Sequence, residues 1–386
     1  MIRHERLLTV RDALRQKGAV AKWPLRWAEY ALLPAEKDWL IHEDAYRAKW
    51  PLLMSSPRFA PPPAANAEQA SSQATALWRG RWLRGLPLDQ QWSALDLSAG
   101  SGIDTWGMES AGARVTAVEP DAYLVELLRW NGAETNRLVV QAPAEKQSFA
   151  PDQFDVVYAD PSRRSARGRL PLNDLGSPDP LKHLQTWQQW APHVVLKLSP
   201  MLDAEQVARW FPGAESLTYL STHREVKELV VHLPRTRTSP LRVFAVAVDD
   251  EGTELVRWTS DPQRTAERAT AVGTYVYDPD SVLVAARGAA SWAAHHGLKG
   301  LHPDSRLYTA DELHAVPGCR VFRVDAVHTS LPTHLTEASV VCRAFPERAD
   351  VLRKRLKLGE SSERFLVATQ LSSAAGYRYL EATRIA

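Results

Sequence analysis

A turn of small residues, Ser-Ala-Gly-Ser-Gly at 98–102, constrains the fold of this chain more than any other stretch. The apolar run before it ends at Asp96, as a buried strand would, and a helix is predicted after it. Gly100 and Gly102 permit backbone angles and close contacts that a Cβ atom would block. Residues 93–105 are therefore predicted to form a strand, a turn that can approach a ligand, and a helix.

A second acidic residue follows the next predicted strand, at residues 114–118. Glu119 is placed there to accept hydrogen bonds from both hydroxyls of an adenosine ribose. Dinucleotide sites use G-x-G-x-x-G, but Thr105 occupies the place of the third glycine, and Asp96 would repel a pyrophosphate. Asp96 suits instead a cationic ligand with an amino group and a sulfonium. The structural alternative is a glycine turn in an ordinary α/β sheet.

Length and composition limit the possible classes of protein. With 386 residues and 45% apolar content, the chain can bury a sizeable core and form two or three domains. The net charge is only +2, so binding to nucleic acid would depend on local patches. Cys319 and Cys342 suggest neither a disulfide framework nor a metal site, and the N-terminus lacks the apolar core of a signal peptide. We expect a cytoplasmic protein with no metal and no membrane span.

The hydrophobic pattern predicts three domains. Within residues 1–75, positions 1 to about 54 show helical periodicity, and a Pro-, Ala- and Ser-rich stretch from 55 to about 75 is interpreted as a linker. Residues 76–236 alternate strands and helices, which predicts a Rossmann-like α/β sheet with its ligand beyond the carboxyl ends of the strands. Residues 237–386 interleave strands with helices near 279–296 and 347–357, the pattern of an α+β domain.

Asp160 and Pro161 follow the predicted fourth strand and suggest a chemical role. The lone pair of an aromatic amine is delocalised into its ring. A carboxylate and a backbone carbonyl that accept the two amine hydrogens can draw the nitrogen toward tetrahedral geometry, and these two residues would supply both acceptors. The alternative is that Asp-Pro only ends a strand and begins a turn.

Basic residues follow this pair. Four arginines, Arg163, Arg164, Arg167 and Arg169, are close together in a Gly- and Pro-containing loop. Such a loop beside a crevice can form a phosphate-binding lid, although a solvated charged surface is the common alternative. Lys197, near the end of the predicted fifth strand, is a further candidate for a phosphate contact.

The segments Asp-Leu-Ser-Ala-Gly-Ser-Gly and Val-Glu-Pro-Asp resemble motif I and its acidic partner in the class I S-adenosylmethionine-dependent methyltransferases. The resemblance implies S-adenosylmethionine as the cofactor. The residues that it implies for cofactor binding are Asp96, Ser98, Gly100, Gly102, Glu119, Pro120, Ala144 and Glu145. In the family, an acidic residue near Glu145 contacts the adenine amino group, but a glutamate that opens a helix is equally explained by the helix dipole.

Asp160 and the residues after it resemble the D/N/S-P-P-Y/F/W motif of methyltransferases that modify exocyclic base amines. The resemblance implies catalytic roles for Asp160 and Pro161, and substrate contacts by Ser162, Arg163, Arg164 and Lys197. Ser162 replaces the second proline and Arg163 the stacking aromatic, so the identity of the base stays open. A guanidinium plane can still stack on a base or bind phosphate. RNA methyltransferases that act on pyrimidine C5 place a nucleophilic cysteine in the region that Ser199 occupies here. Both cysteines of this chain lie far downstream, which argues against C5 chemistry.

Three C-terminal segments, at 275–280, 298–308 and 352–358, resemble a bacterial group of class I methyltransferases with a C-terminal THUMP-like domain. This resemblance covers roughly residues 90–386. THUMP domains in related enzymes bind RNA, so it implies an RNA substrate. The basic cluster at 353–357 could bind phosphate or simply be solvated.

We therefore predict an S-adenosylmethionine-dependent methyltransferase that acts on an exocyclic base amine of tRNA or rRNA by direct transfer. The alternative enzyme methylates a small molecule or a protein. An alternative of another class is a non-catalytic RNA-binding scaffold that retains the fold. The sequence gives no indication of the oligomeric state.

Overall fold

The structure, a computed structural model, describes residues 4–135, 137–162, 164–165, 168–169, 171 and 174–385. Contacts between residues divide the chain into two compact units. Unit 1 comprises Met1–Leu217, Lys227–Leu241 and Val248–Thr253, and unit 2 comprises Thr218–Val226, Arg242–Ala247 and Glu254–Ala386. The three domains predicted from the sequence have other limits, and they stay predictions.

Short helices form the first part of unit 1, and none of the described helices is long and apolar enough to cross a membrane. They are α1 (His4–Gln16), a 3₁₀ helix (Val20–Glu29), α2 (Pro34–Ile41), α3 (Glu43–Lys49), α4 (Pro51–Ser55), α5 (Ala64–Gln69) and α6 (Gln73–Arg84). Trp23 and Trp39 are buried in one core cluster with Leu7, Leu14 and Leu40. These two tryptophans thus anchor the core of the helical part.

The stretch interpreted as a linker is instead packed, and it contains α5. Phe59 and Ala60 are buried in it. The indole of Trp39 donates a hydrogen bond to the carbonyl of Pro61 at 2.8 Å, and the indole of Trp50 donates to the carbonyl of Ser71 at the same distance. The linker interpretation was wrong because the carbonyls of this Pro-rich backbone find partners in buried tryptophans.

The rest of unit 1 alternates strands and helices. The elements are β1 (Ser93–Asp96), α7 (Ile103–Ser110), β2 (Arg114–Glu119), α8 (Ala122–Asn131), β3 (Leu138–Gln141), a 3₁₀ turn (Ala144–Lys146), β4 (Val156–Ala159), β5 (Arg164–Ser165), β6 (Gly168–Arg169), α9 (Pro180–Trp190), β7 (His193–Leu198), α10 (Ala204–Trp210), β8 (Ser216–Thr222) and β9 (Glu225–Pro234). Most of β8 and the first two residues of β9 belong to unit 2. Strands β3, β2, β1, β4 and β7 are parallel neighbours in that order, and β9 pairs antiparallel with β7. This confirms the Rossmann-like sheet. The strand order reverses between β1 and β4, where such sheets bind their ligands.

Unit 2 is an α+β structure, as predicted. Its elements are β10 (Arg242–Val248), β11 (Glu254–Thr259), β12 (Tyr275–Pro279), α11 (Ser281–Ala285), α12 (Ala289–His295), β13 (Lys299–Gly300), β14 (Tyr308–Ala310), β15 (Cys319–His328), β16 (Ser339–Cys342), α13 (Ala349–Leu356), β17 (Arg364–Leu371) and β18 (Ala374–Arg384). Over the described residues, one sheet has the order β13-β14-β12-β15-β18-β17-β16. Strands β16 and β17 are parallel and connect through α13.

The single helix predicted near 279–296 is two helices, α11 and α12. Arg287 between them has φ 55°, a left-handed conformation that ends an α-helix. Gly288 follows, and a Cβ atom on it would lie 2.6 Å from the hydroxyl oxygen of Ser260. Local backbone geometry that helical periodicity does not reveal therefore divides the helix.

Helices α6 and α7 approach until their backbones touch. A Cβ atom on Gly80 in α6 would lie 2.0 Å from the carbonyl oxygen of Gly107 in α7. A Cβ atom on Gly107 would lie 2.3 Å from the carbonyl oxygen of Ala76. Backbone cannot yield to such contacts, so only glycine fits at both positions.

We expect Gly80→Ala to lower the free energy of unfolding by about 3 kcal/mol, because the added methyl group must push the two helices apart. Urea denaturation of the full chain measures this. Gly213→Ala is the matched control, since a Cβ atom there meets nothing within 4 Å, and it should change stability by less than about 0.5 kcal/mol. Equal stability of the two variants would contradict the close packing.

Candidate active site

A cavity of about 630 Å³ lies in unit 1 at the carboxyl ends of the parallel strands. This volume is in the range of about 300–1,000 Å³ that small-molecule sites occupy. Its lining residues follow successive strands, at 97–101 after β1, 119–120 after β2, 143–145 after β3, 160–162 after β4 and 197–200 after β7. The cavity is at the reversal of strand order and contains most of the predicted site residues.

Asp96 is fully buried beneath the turn and does not line this cavity. Its carboxylate accepts hydrogen bonds from the Ser98 N–H at 3.1 Å and from the Thr105 hydroxyl at 2.7 Å. Thr105, in the place of the third glycine, thus ties the start of α7 to the end of β1. This corrects the predicted direct contact between Asp96 and the cofactor, because the side chain points inward and shapes the turn.

The two glycines of the turn have different roles. Gly100 has φ 51° and donates its N–H to a carboxylate oxygen of Glu119 at 2.9 Å. Gly102 has φ 83°, and a Cβ atom on it would lie 2.6 Å from the side chain of Leu128. Only Gly100 lines the cavity. The cofactor contact predicted for Gly102 is therefore corrected to a packing role at the start of α7.

Glu119 lies at the cavity with only 7% of its surface exposed. One carboxylate oxygen accepts from the Gly100 N–H and the other from the Asp121 N–H, both at 2.9 Å. Burial raises the pKa of Glu119, and these two hydrogen bonds oppose the shift. An ionised carboxylate has about four acceptor sites, so it retains capacity for two hydroxyl donors. Pro120 beside it also lines the cavity.

Ala144 and Glu145 line the cavity after β3. Ala144 is buried, whereas Glu145 is exposed and accepts a hydrogen bond from the Ser177 hydroxyl. They belong to a 3₁₀ turn of three residues. A turn this short has little macrodipole, which weakens the helix-dipole explanation for the glutamate.

Asp160 and Lys197 form an ion pair at the cavity, with 2.5 Å between the ammonium nitrogen and a carboxylate oxygen. The backbone N–H of Asp160 donates to the Ser98 hydroxyl oxygen at 2.6 Å. The Lys197 ammonium also donates to the Ser71 hydroxyl oxygen at 2.9 Å and lies 3.5 Å from Asp104. Its three donors thus have protein partners. The predicted phosphate contact of Lys197 is corrected to an ion pair that positions Asp160.

Burial and charge oppose each other in this pair. Burial raises the pKa of Asp160, and Lys197 lowers it in turn. Burial alone would lower the pKa of Lys197, but Asp104 and Asp160 raise it above the ordinary value. Lys197 is therefore a fixed positive charge beside a carboxylate that retains one third of its side-chain surface exposed.

A buried ionic group of Arg79, Asp104 and Glu228 contacts this pair through Lys197. Arg79 in α6 donates to Asp104 in α7 and to Glu228 in β9, and its guanidinium lies 5.3 Å from the ring centroid of Tyr158. Burial alone would raise the pKa of Asp104, but Arg79 and Lys197 hold it far below its usual range. The sequence signal for Arg79 was a charge on the otherwise buried face of α6.

Further parts of the cavity wall were not predicted. Asn66, Gln69, Ala70 and Ser71, from the stretch interpreted as a linker, all line it. Ser162, which was predicted as a substrate contact, lines it too, and its backbone pairs with that of Ser177. Arg163 and Arg167 lie outside the described residues. Arg164 and Arg169 pair through their backbones in β5 and β6, and only their backbones are described.

Both cysteines are free and belong to unit 2. Burial raises the pKa of Cys319 to about 12 and that of Cys342 to about 11, so neither is a thiolate nucleophile near neutral pH. Ser199 lines the cavity of unit 1. In the part of the chain that the structure describes, no group of three His, Cys, Asp or Glu side chains is arranged to hold a metal ion.

Comparison with known proteins identifies two regions. Residues 95–161 match the family described as a methyltransferase domain, and residues 319–384 match a family described as THUMP domain-like. The first match begins in β1 and ends at Pro161. The chain therefore contains a methyltransferase domain and a THUMP-like region, which confirms the predicted resemblance, methyltransferase activity and S-adenosylmethionine as the cofactor.

One solved structure shares the fold over the whole chain, and others match parts of it. A proposed methyltransferase from Porphyromonas gingivalis W83 aligns over 100% of both chains with a TM-score of 0.80 and 21% identity. A proposed RNA methyltransferase from Pyrococcus horikoshii has 21% identity and a TM-score of 0.28, with 36% of this chain and 62% of that chain covered. An S-adenosylmethionine-dependent methyltransferase from Aquifex aeolicus has 14% identity and a TM-score of 0.33, with 44% and 96% covered. No curated protein matches the chain.

We expect Asp96→Asn to change how stability depends on pH. Burial raises the pKa of Asp96 to about 7, well above the ordinary value of about 4. The folded state therefore binds the proton more tightly, and this contribution to stability is lost as the pH rises from about 4 to about 7. The free energy of unfolding of the unaltered protein, minus that of Asp96→Asn, should be larger at pH 5 than at pH 8.

Urea denaturation at the two pH values measures this difference. Asp89→Asn is the control, because Asp89 is exposed, and its difference should be the same at both pH values. A difference for Asp96→Asn that is also independent of pH would contradict the buried, protonated state.

Proposed function

We propose that this S-adenosylmethionine-dependent methyltransferase, with its THUMP-like region, methylates an exocyclic base amine of tRNA or rRNA. The observation that carries the proposal is the partly exposed carboxylate of Asp160 in the cavity, next to Pro161 and held by Lys197. A carboxylate and a backbone carbonyl side by side match the two hydrogens of an aromatic amine.

The cavity residues suit the cofactor chemically. Glu119 retains acceptor capacity for two ribose hydroxyls. Leu124, Pro143 and Ala144 offer an apolar surface for a purine, with Glu145 at its margin as an acceptor for the adenine amino group. Ser98, Gly100 and Pro120 complete this side of the site. When bound, S-adenosylmethionine supplies an electrophilic methyl group on a sulfonium.

The residues of the chain then position the nucleophile. Asp160 accepts one hydrogen bond from the amine and the carbonyl of Pro161 accepts the other, which withdraws the nitrogen lone pair from the ring. Asp160 is also placed to take up the proton that the nitrogen loses. Lys197 fixes the carboxylate through its ion pair and favours its ionised form. Ser162, Arg163 and Arg164 follow directly in the chain and are the proposed substrate contacts.

The RNA substrate is supported by the THUMP-like match at 319–384. The basic cluster at 353–357 gives weaker support. Arg353 pairs with Glu360 at 3.1 Å, and Arg355 pairs with Glu347 at 2.7 Å. These two carboxylates offset part of the positive charge of the cluster.

We expect Asp160→Asn to reduce methyl transfer by about a hundredfold or more while cofactor binding persists, since the amide cannot accept a proton. The measurement is transfer of radiolabelled methyl groups to fractionated cellular RNA, with calorimetric titration of the cofactor. Asp89→Asn serves as the control for loss of a carboxylate elsewhere on unit 1. Undiminished transfer by Asp160→Asn would remove Asp160 from the reaction.

The same assay separates the alternatives. Label found in the protein or small-molecule fraction instead of RNA would indicate the alternative enzyme. Cofactor binding without transfer to any fraction would favour the scaffold. Glu119→Ala should abolish the calorimetric signal, because the ribose hydroxyls would lose their acceptor.

We expect Lys197→Gln to move the acidic limb of the pH profile of kcat/KM to higher pH. Activity requires ionised Asp160, and Lys197 lowers a pKa that burial raises. Without Lys197 the pKa of Asp160 rises further, so activity appears only at higher pH. Lys182→Gln, at an exposed lysine of unit 1, should leave the limb in place. An unshifted limb in Lys197→Gln would show that the pair does not control the protonation of Asp160.

A further inference from the structure

Three arginines of unit 2 converge on one buried carboxylate, that of Asp278 in β12. Arg343 donates to one carboxylate oxygen at 3.2 and 3.3 Å. Arg320 donates to the other oxygen at 2.6 and 3.1 Å, and Arg224 donates to that same oxygen at 3.0 Å. We call Asp278, Arg224, Arg320, Arg343 and Asp280, whose carboxylate also acts on Arg224, the arginine cluster.

The arginine cluster has more positive than negative charge. Burial lowers the pKa of Arg224, Asp278 opposes this shift, and Arg320 and Arg343 lower the pKa further. The carboxylate of Asp280 also acts on Arg224. Three guanidiniums thus share two carboxylates, which leaves a net charge of +1. The excess lies on Arg320 and Arg343, because Arg224 interacts with both carboxylates and with the carbonyls of Asp278 and Pro279.

This excess charge faces a cavity of about 500 Å³ between β16 and the start of α13. Arg320 and Arg343 line it. The guanidinium of Arg320 also packs beside two adjacent aromatic rings, 5.5 Å from the centroid of Phe322 and 5.9 Å from that of Phe365. A guanidinium fixed in this way loses little conformational freedom when it binds an anion.

Other charges at the cavity are balanced. Glu347 pairs with Arg355 at 2.7 Å, and Arg348 pairs with Asp350 at 3.2 Å. The side chain of Arg348 is 85% exposed at the rim, so its pair is weak and its guanidinium is accessible. Phe345 adds a partly buried aromatic wall. The cavity therefore offers two fixed guanidiniums, an accessible third and an aromatic surface.

We propose that this cavity binds a phosphodiester of an RNA strand through Arg320, Arg343 and Arg348. Guanidinium groups match phosphate oxygens with paired hydrogen bonds. The net charge of +1 on the arginine cluster equals the charge that one phosphodiester neutralises. Arg348 at the rim can reach a neighbouring phosphate, and Phe345 can contact a base. A continuous strand is favoured over a free nucleotide because the donors extend from the base of the cavity to an exposed rim. The inference rests on the proposed RNA substrate.

Fluorescence anisotropy of the full chain with a fluorescein-labelled, mixed-sequence single-stranded RNA tests the proposal, between about 50 and 200 mM salt. We expect Arg343→Gln and Arg348→Gln each to weaken binding about tenfold at low salt. Each should also lower the slope of log affinity against log salt by about 0.7. Arg323→Gln is the matched control, because Arg323 lies on the same strand as Arg320 and pairs with Asp325 outside the cavity. This control should leave the RNA affinity within about twofold and the salt slope unchanged.

Thermal unfolding of each variant shows whether it is folded. Arg343→Lys serves as a second variant that preserves the charge. Arg343→Lys keeps the charge but loses the paired geometry, so the salt slope should return while the affinity recovers only in part. Unchanged RNA affinity in both glutamine variants would overturn the proposal. Loss of adenosine 5′-monophosphate binding in those variants, with RNA binding intact, would overturn it in favour of a free nucleotide. The anisotropy assay measures RNA binding and does not depend on methyl transfer. If the protein binds RNA through this cavity but methylates no RNA, the proposed reaction is refuted and the proposed binding site is not.

Discussion

The ion pair between Asp160 and Lys197 is the interaction on which the candidate active site depends. Charges buried in a protein are costly unless they are paired. In the hydrogen-bonded group of Arg79, Lys197, Asp104, Glu228 and Asp160, three carboxylates share two cations. Arg79 satisfies the two deepest carboxylates, and Lys197 spans the distance from Asp104 to the cavity. Asp160 therefore keeps one firm partner and a partly exposed side chain, the arrangement that a proton acceptor requires.

This ionic group exists only because distant parts of unit 1 meet. Arg79 reaches Asp104 because Gly80 and Gly107 let α6 and α7 approach to backbone contact. Ser71, just before α6, accepts from both Lys197 and Arg79. The N-terminal helices and their connections therefore contribute one wall of the cavity, and Ser71 among them is a hydrogen-bond partner of Lys197.

The contrast between predicted and observed roles follows from what spacing can specify. Glycines after the first strand locate the turn, and acidic residues after two later strands locate Glu119 and Asp160. These features meet because parallel strands bring their carboxyl ends to one edge of the sheet. Spacing does not say which way a side chain points, so Asp96 and Gly102 were assigned to the cofactor although one lies beneath the turn and the other packs on Leu128. Arg79 and Ser71 depend on long-range contacts that no local pattern contains. The Pro-rich stretch was misread because its tryptophan partners lie at least 20 residues away.

The buried ionic groups around Asp160 and around Asp278 have opposite excess charge, and each excess favours a different kind of ligand. In the group around Asp160 carboxylates outnumber cations by three to two, and burial, with a smaller contribution from Asp104, raises the pKa of both Glu228 and Asp160. Such a site favours N–H donors and a sulfonium over phosphate. In unit 2 guanidiniums outnumber carboxylates by three to two, and Arg224 responds with a lowered pKa. That site favours an anion. Since the global charge of the chain is close to neutral, these local imbalances, each in a buried group, decide which kind of ligand each site favours.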